Sequence, residues 1–262
     1  MTMSETKTDI PYGPEEMQVG DLFLPAAMSA DTPVVLNIHG GGWSAMSRHD
    51  AAGISQFLLE NGCAVFSIDY RLAGKEHPWP ACGDDSLKAA EFLLGGGLAA
   101  HGVAPSKIWT IGASSGGHLA LWTGFNLPAG CVAGAISVSG IADPLPDAEA
   151  HPARYATLFG GREPTQADFD SMSIMRFARP GGPRVLLTHA TEDTVVPFAS
   201  AANFHRASRA AGGDVTLRQY STNNEPNWGG HCIWRQGLPI RARLLVLVED
   251  AIARFMGIAK NA

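Results

Sequence analysis

Two glycines frame a serine in Gly112-Ala113-Ser114-Ser115-Gly116-Gly117, where the apolar run Lys107–Ile111 gives way to a helical pattern. This is G-x-S-x-G in a strand–turn–helix setting. A serine on such a strained turn projects its hydroxyl beyond the edge of a sheet, where it can attack an acyl carbon. The residues two before and two after it crowd each other, so both must be small, and here they are Gly112 and Gly116. Ser114 is therefore the candidate nucleophile. Ser115 is the alternative: a frame shifted by one puts Ala113 and Gly117 at the crowded positions, a poorer fit. The plain reading is a glycine-rich helix start that only packs closely or binds an anion.

A serine hydroxyl is a weak nucleophile near neutral pH and needs a base, and the base needs an orienting carboxylate. In a sheet of this kind the partners follow in the order Ser, Asp/Glu, His. The apolar run Val185–Thr188 is followed by His189-Ala190-Thr191-Glu192-Asp193-Thr194-Val195-Val196-Pro197. Asp193 is the candidate acid, Glu192 the near competitor and Asp143 the distant one. Of the nine histidines, only His205 and His231 lie downstream of Asp193. His205 falls inside a helical pattern. His231 follows the last strand and is the candidate general base. His118 lies one turn beyond Ser114 and should pack there. His189 ends a strand and reads as structural, and His39 as a hydrogen-bonded loop anchor. His49, His77, His101 and His151 have no partner pattern.

Acyl transfer also needs donors for a developing oxyanion. After the run Val34–Ile38 comes His39-Gly40-Gly41-Gly42-Trp43. Its glycines let backbone N–H groups approach a substrate. Gly41, Gly42 and Ser115 N–H are the expected oxyanion hole. Four of the six tryptophans, Trp43, Trp79, Trp228 and Trp234, fall on segments expected near Ser114. They are expected to bind substrate through their flat apolar faces, with at least one packing structurally.

The elements that must position these residues alternate short apolar runs with helical patterns, the signature of an α/β fold with a mostly parallel sheet. Strands are expected at Val34–Ile38, Cys63–Ile68, Lys107–Ile111, Ala135–Val138, Val185–Thr188 and Val215–Tyr220, with Met17–Leu24 as an edge strand. Helices are expected over His49–Glu60, Asp84–Leu94, Ser115–Phe125 and Phe198–Ala211. A last helix would bury Leu244, Leu247, Val248, Ala251 and Phe255 on one face. Residues 144–183 carry six of the 17 prolines. Proline resists long helices and central strands, so this stretch reads as short helices over one end of the sheet, or as an irregular surface excursion.

Composition narrows the function classes. The 262 residues are 45% apolar and 17% charged, which is globular rather than disordered. A net charge of −6 gives no electrostatic reason to bind a nucleic acid. Cys63, Cys82, Cys131 and Cys232 are dispersed, with no C-x-x-C pair, and read as free thiols in a reducing compartment. The polar N-terminus lacks a signal pattern, and the run Leu244–Val248 falls far short of the ~20 residues of a membrane span. A cytoplasmic protein with no membrane partner is expected. No H-E-x-x-H or paired-cysteine spacing occurs, so no metal and no cofactor are expected. Oligomeric state is not readable.

Together these motifs resemble the α/β-hydrolase fold. More narrowly they resemble the hormone-sensitive-lipase-like carboxylesterases and the related small acetyl-esterase and kynurenine-formamidase-like hydrolases. The resemblance covers nearly the whole chain. It rests on His39–Trp43, Asp69-Tyr70-Arg71-Leu72-Ala73, His77-Pro78-Trp79-Pro80-Ala81 with Asp84-Asp85, the turn around Ser114, Asp193 and His231. It implies a mostly parallel central sheet with helices on both faces, one domain over 1–262, and a small cap-like insertion at 143–183. Three features depart from the group's pattern. Ala113 and Ser115 stand where many members have an acidic residue and an alanine. Gly74-Lys75-Glu76 replaces a shorter Pro-Glu. The segment before the first strand is short, which, with Asp193-Thr194-Val195-Val196-Pro197, points to the small-hydrolase branch. Asp69 and Arg71 are expected to pair structurally. The expected function is hydrolysis of small soluble carboxylic esters through an acyl-enzyme, favouring short acyl groups and aromatic leaving groups. An amidase, such as an aryl formamidase, would use the same three residues. A non-catalytic ligand-binding protein on this scaffold is the reading from another class, and such proteins typically lose one of the three.

Overall fold

The computed structural model describes residues 5–222, 230–231 and 241–259, with only the backbone of 241–243. Eight strands form one sheet: β1 (Glu5–Pro11), β2 (Val19–Leu24), β3 (Val34–Ile38), β4 (Ala64–Ile68), β5 (Ile108–Ala113), β6 (Val132–Val138), β7 (Val185–Ala190) and β8 (Val215–Tyr220). Their order across the sheet is β1-β2-β4-β3-β5-β6-β7-β8. β2 is antiparallel to β1 and β4. The strands from β4 to β8 in that order are parallel.

β3 and β4 are buried at every residue, which fits their nearly continuous apolar runs in a sheet covered on both sides. Alternation sorts the side chains. Val34, Leu36 and Ile38 face the layer of α2 (Ala81–Leu94), α3 (Ser115–Asn126) and α7 (Phe198–Ala210), where Leu93, Leu119 and Phe204 pack. Val35 faces the layer of α1 (Ala52–Glu60) and α8 (Arg241–Met256), where Phe57, Leu58, Val248 and Ile252 pack. The polar exception on that face, Asn37, donates to Ala51 O at 3.1 Å and Ser55 Oγ at 2.8 Å.

Chain order across the sheet fixes where a ligand can sit. β4 lies on one side of β3 and β5 on the other, so the connections diverge there. Such a switch point opens a crevice beyond the C-terminal strand ends. Ile38 pairs with Gly112, so the loop after β3 and the turn after β5 emerge side by side. Between β6 and β7 the proline-rich stretch folds into three short helices, α4 (Pro144–Ala150), α5 (Pro152–Leu158) and α6 (Gln166–Met172), and a 3-10 turn at Ile174–Phe177. Asp143 caps α4 by accepting from Leu145 N–H, with Pro144 at the first helical position.

The structure corrects three expectations. The strand expected at Met17–Leu24 begins at Val19 and is not at the edge, because β1 covers it. In the last helix Leu247 is exposed, and the buried set is Leu244, Val248, Ile252, Ala253 and Met256. Asp69 and Arg71 do not pair with each other. Asp69 binds Arg48, whose guanidinium also meets Asp9 and Asp21. Arg71 instead binds Asp85, with Nη2–Oδ1 at 2.7 Å.

Candidate active site

Ser114 sits between β5 and α3 with φ 57° and ψ −127°, a conformation non-glycine residues rarely adopt. Strain of this kind costs of order 1–3 kcal/mol and persists only where surroundings over-determine it. Here Ser114 N–H donates to Val138 O at 2.9 Å, and Ser114 O accepts from Gly117 N–H at 2.9 Å. The flanking glycines are needed for hard-sphere reasons. A Cβ on Gly112 would lie 2.3 Å from Gly116 O, and one on Gly116 would lie 2.1 Å from Ile38 O. The crowding thus involves the end of β3 as well as the two glycines. Ser115 is fully buried, and its Oγ accepts from Trp43 N–H at 3.1 Å. Ser114 is half-buried at the head of the helix.

The glycine loop lies directly on this turn. A Cβ on Gly40 would be 2.8 Å from Ala113 O and 3.2 Å from Ser114 Cβ. Gly41 and Gly42 take φ of 109° and 61°, and Gly41 O accepts from Ser44 and Ala45 N–H, closing the loop. Among the described residues neither Gly41 N–H nor Gly42 N–H donates to a protein acceptor. Ser115 N–H opens α3 and belongs to the helix's first four donors, which have no partner within it. His39 anchors the loop as expected, with Nδ1 2.7 Å from Gly40 O and its ring stacked on Tyr70.

Two of the expected substrate-binding tryptophans are core residues instead. The Trp43 ring is completely enclosed, its edge against Tyr155 and its Nε1–H donating to His118 Nδ1 at 3.2 Å. Trp79 is 8% exposed and packs edge-on against Trp122. Neither ring offers a free face to a ligand. Trp228 and Trp234 lie outside the described residues, as does Cys232. His118 packs behind Ser114 as expected. Its Nε2–H donates to Met172 O at 2.8 Å, leaving Nδ1 to accept from Trp43. Burial pushes its pKa down to about 4 against the pull of the Met172 carbonyl.

A histidine depressed in the folded state stabilises above its unfolded value and loses that contribution as pH falls through its folded one. Stability should therefore decline between about pH 6.5 and pH 4, by up to about 3 kcal/mol. His118→Gln, which cannot charge, should lose less over that interval in urea unfolding. Equal losses would contradict the buried neutral imidazole.

The acid loop follows β7. Asp193 Oδ1 accepts from Val195 and Val196 N–H, both at 2.9 Å. Its Oδ2 lies 2.8 Å from His231 Nδ1 and 3.3 Å from His189 Nε2. Burial would raise this carboxyl, but the hydrogen bonds from His189 and His231 outweigh it and hold Asp193 at about 2. It stays ionised wherever an imidazole base can work. His189, read as structural, also approaches Val196 O at 3.0 Å, so it secures the acid loop and touches the acid itself. Sequence reasoning missed that contact, although a four-residue spacing across a strand-end turn allows it.

The competing acids have other partners. Asp143 caps α4 and accepts from Asn203 Nδ2 at 2.7 Å. Glu192 is held at about 2 by Ser221 Oγ, at 2.5 Å, and by Thr222 N–H, at 3.0 Å. Thr222 in turn crowds Gly230: a Cβ there would lie 2.7 Å from Thr222 Cγ2. Gly230 takes φ 85° and immediately precedes His231. Glu192 thus holds Thr222, which packs beside Gly230, the residue before His231. Also unforeseen is Arg154 on α5, whose side chain spans from the Gly42 loop to Val195 O.

The family model BD-FAE matches residues 20–207. The chain belongs to the BD-FAE family. That span includes Ser114 and Asp193 and ends before His231. The chain is 29% identical over 152 residues to a kynurenine formamidase of Danio rerio, covering 55% of this chain and 49% of the relative. It is 38% identical over 100 residues to carboxylesterase NlhH of Mycobacterium tuberculosis, covering 37% of this chain and 30% of the relative. The chain therefore spans half or less of these curated relatives. Among solved structures, a truncated carbohydrate esterase from gut microbiota superposes with a TM-score of 0.81 at 22% identity, covering 98% of both chains. Esterase B from Lactobacillus rhamnosis gives 0.76 at 19% identity, covering 97% of this chain and 86% of that one. The BD-FAE chain has the α/β-hydrolase fold that its motifs resembled, with a mostly parallel sheet between two helical layers.

Proposed function

We propose that this protein is a serine hydrolase of small carboxylic esters, acting through an acyl-enzyme. The observation that carries the reading is convergence at one end of the parallel strands. Strained, half-buried Ser114 follows β5, and the Asp193–His231 pair follows β7 and β8. In this account His231 accepts the Ser114 proton as Oγ attacks the acyl carbon. Asp193 holds Nδ1–H of the ring, which keeps Nε2 free as the base. Gly41, Gly42 and Ser115 N–H receive the oxyanion. The imidazolium then protonates the leaving alkoxide, and water, activated by the same base, releases the acid. No step calls for a metal or a cofactor.

Names borne by relatives, carboxylesterase and carbohydrate esterase, support ester substrates. The enclosed rings of Trp43 and Trp79 withdraw part of the case for an aromatic leaving group, so the proposal keeps to small, soluble esters with short acyl chains. The expected result is a rate maximum at short acyl length in a series of 4-nitrophenyl esters, with no jump above the solubility limit. A maximum at long chains, rising sharply when aggregates form, would point to a lipase instead. A second reading, hydrolysis of an aryl formamide, is favoured by the relative named kynurenine formamidase. It uses the same residues, with His231 protonating an amine. Matched aryl esters and aryl formamides separate the two by their kcat/KM.

A further inference from the structure

Arg154 occupies an unusual position. It extends from α5 to the glycine loop that lies against Ser114 and to the acid loop that follows β7. Its Cγ, Cδ and Nε lie 3.7, 3.8 and 3.8 Å from the Cβ position of Gly42. Its Nη1 and Nη2 lie 3.5 and 3.4 Å from Val195 O, two residues after Asp193. The side chain is 19% exposed, and Asp147 and the Val195 carbonyl position its guanidinium.

How its five donors are used decides what it can bind. Nη1 is taken by Asp147, at 2.7 Å to Oδ1 and 2.8 Å to Oδ2. Asp147 is fully buried and also accepts from Tyr155 O–H at 2.9 Å, so it anchors the guanidinium from behind. The Nη1/Nη2 end faces the Val195 carbonyl at long range. The remaining side-on edge, made by Nε–H and the second Nη2 hydrogen, meets no protein acceptor among the described residues. That edge is a planar two-donor fork matching the spacing of carboxylate oxygens. Gly42 lies against the arginine stem and, lacking a Cβ, leaves the space beside Cγ, Cδ and Nε unfilled. An arginine needed only to anchor α5 would not have to present this fork beside the glycine loop.

We propose that Arg154 is a specificity-determining residue that receives a carboxylate on the substrate, so that this hydrolase prefers carboxylate-bearing esters over neutral ones. The inference rests on the hydrolase reading above and deepens it. The Asp147–Arg154 pair is neutral as a whole, but its negative member is fully buried and its positive member is the more exposed of the two, between the glycine loop and the acid loop. An incoming carboxylate therefore meets donors and a favourable local field.

The test compares 3- and 4-acetoxybenzoate with the corresponding neutral acetoxybenzamides. These share an acetyl group and an aryl leaving group and differ in one charge. In wild-type protein the ratio of kcat/KM, carboxylate over amide, should exceed one for at least one of the two positions. It should shrink as sodium chloride is added. In Arg154→Met the ratio should fall about 10- to 100-fold, the worth of hydrogen bonds to a charged group. In Arg154→Lys, which keeps the stem and the charge but not the fork, it should fall by a smaller factor. A wild-type ratio at or below one for both positions would overturn the proposal, as would a ratio unchanged in either variant. If Arg154→Met does not fold, the wild-type ratio and Arg154→Lys still decide. Absence of turnover on all four esters would instead contradict the hydrolase reading, so the two failures are distinguishable.

Discussion

Ser114→Ala should lose ester turnover by a factor on the order of 10⁴ or more, while its folding and unfolding midpoint stay close to wild type. The remaining oxyanion donors and the base can still act on water, but they cannot replace the covalent step. Stability should not suffer, because the strain at φ 57° is held by backbone hydrogen bonds to Val138 and Gly117. Alanine changes none of these. Ser115→Ala should behave differently. That hydroxyl is buried and accepts from Trp43 N–H, so its loss leaves a buried donor unpaired and disturbs the glycine loop. Circular dichroism and chemical unfolding, measured beside kcat, distinguish the two. A Ser114→Ala protein that keeps more than a hundredth of wild-type activity would show that the nucleophile lies elsewhere.

Asp193→Asn should lower kcat by roughly 10³- to 10⁴-fold. An amide in that place removes the charge that favours the imidazolium and can turn the ring to the wrong tautomer. The adjacent carboxylate provides the control. Glu192 accepts from Ser221 and Thr222, and a glutamine oxygen can still accept from one of them. Glu192→Gln should therefore stay within about tenfold of wild type. Steady-state kinetics on one neutral acetyl ester suffices. Comparable losses in both variants would mean that the Glu192–Thr222 contact beside Gly230, and not the Asp193 carboxylate, carries the effect.

How legible this arrangement is in sequence depends on what each signal measures. The turn at Ser114 is readable because its requirement is hard-sphere contact: only glycine fits 2.1 Å from Ile38 O at position 116. The central strands are readable because two-sided burial demands nearly continuous apolar runs, with Asn37 and Ser67 the polar exceptions in β3 and β4. β1 is not readable, since its residues are largely exposed and it is held by backbone pairing to β2 and the Asp9–Arg48 contact. The tryptophans mislead because an indole has the same apolar face in a binding site as in a core, and only packing assigns it. Trp43 is fixed by His118 and Tyr155, both far from it in sequence. The separate partners of Asp69 and Arg71 are hidden for a similar reason. Both residues stand beyond the end of β4, where strand alternation no longer says which way a side chain turns. Glu192 and Asp193 are adjacent residues of like chemistry, and their opposite duties come from the loop that turns one toward His231 and the other toward Thr222. Arg154 carries no sequence signal, because its meaning lies in two loops it reaches from a short helix of the proline-rich stretch.

The most direct test of the account is covalent capture at the serine. The protein is treated with a small fluorophosphonate, which phosphonylates an activated serine hydroxyl with loss of fluoride, and then examined by intact and peptide mass spectrometry. The account predicts one adduct per chain, on Ser114, appearing in step with loss of ester turnover and absent from Ser114→Ala. An adduct on Ser115, or full inhibition with Ser114 unmodified, would contradict it.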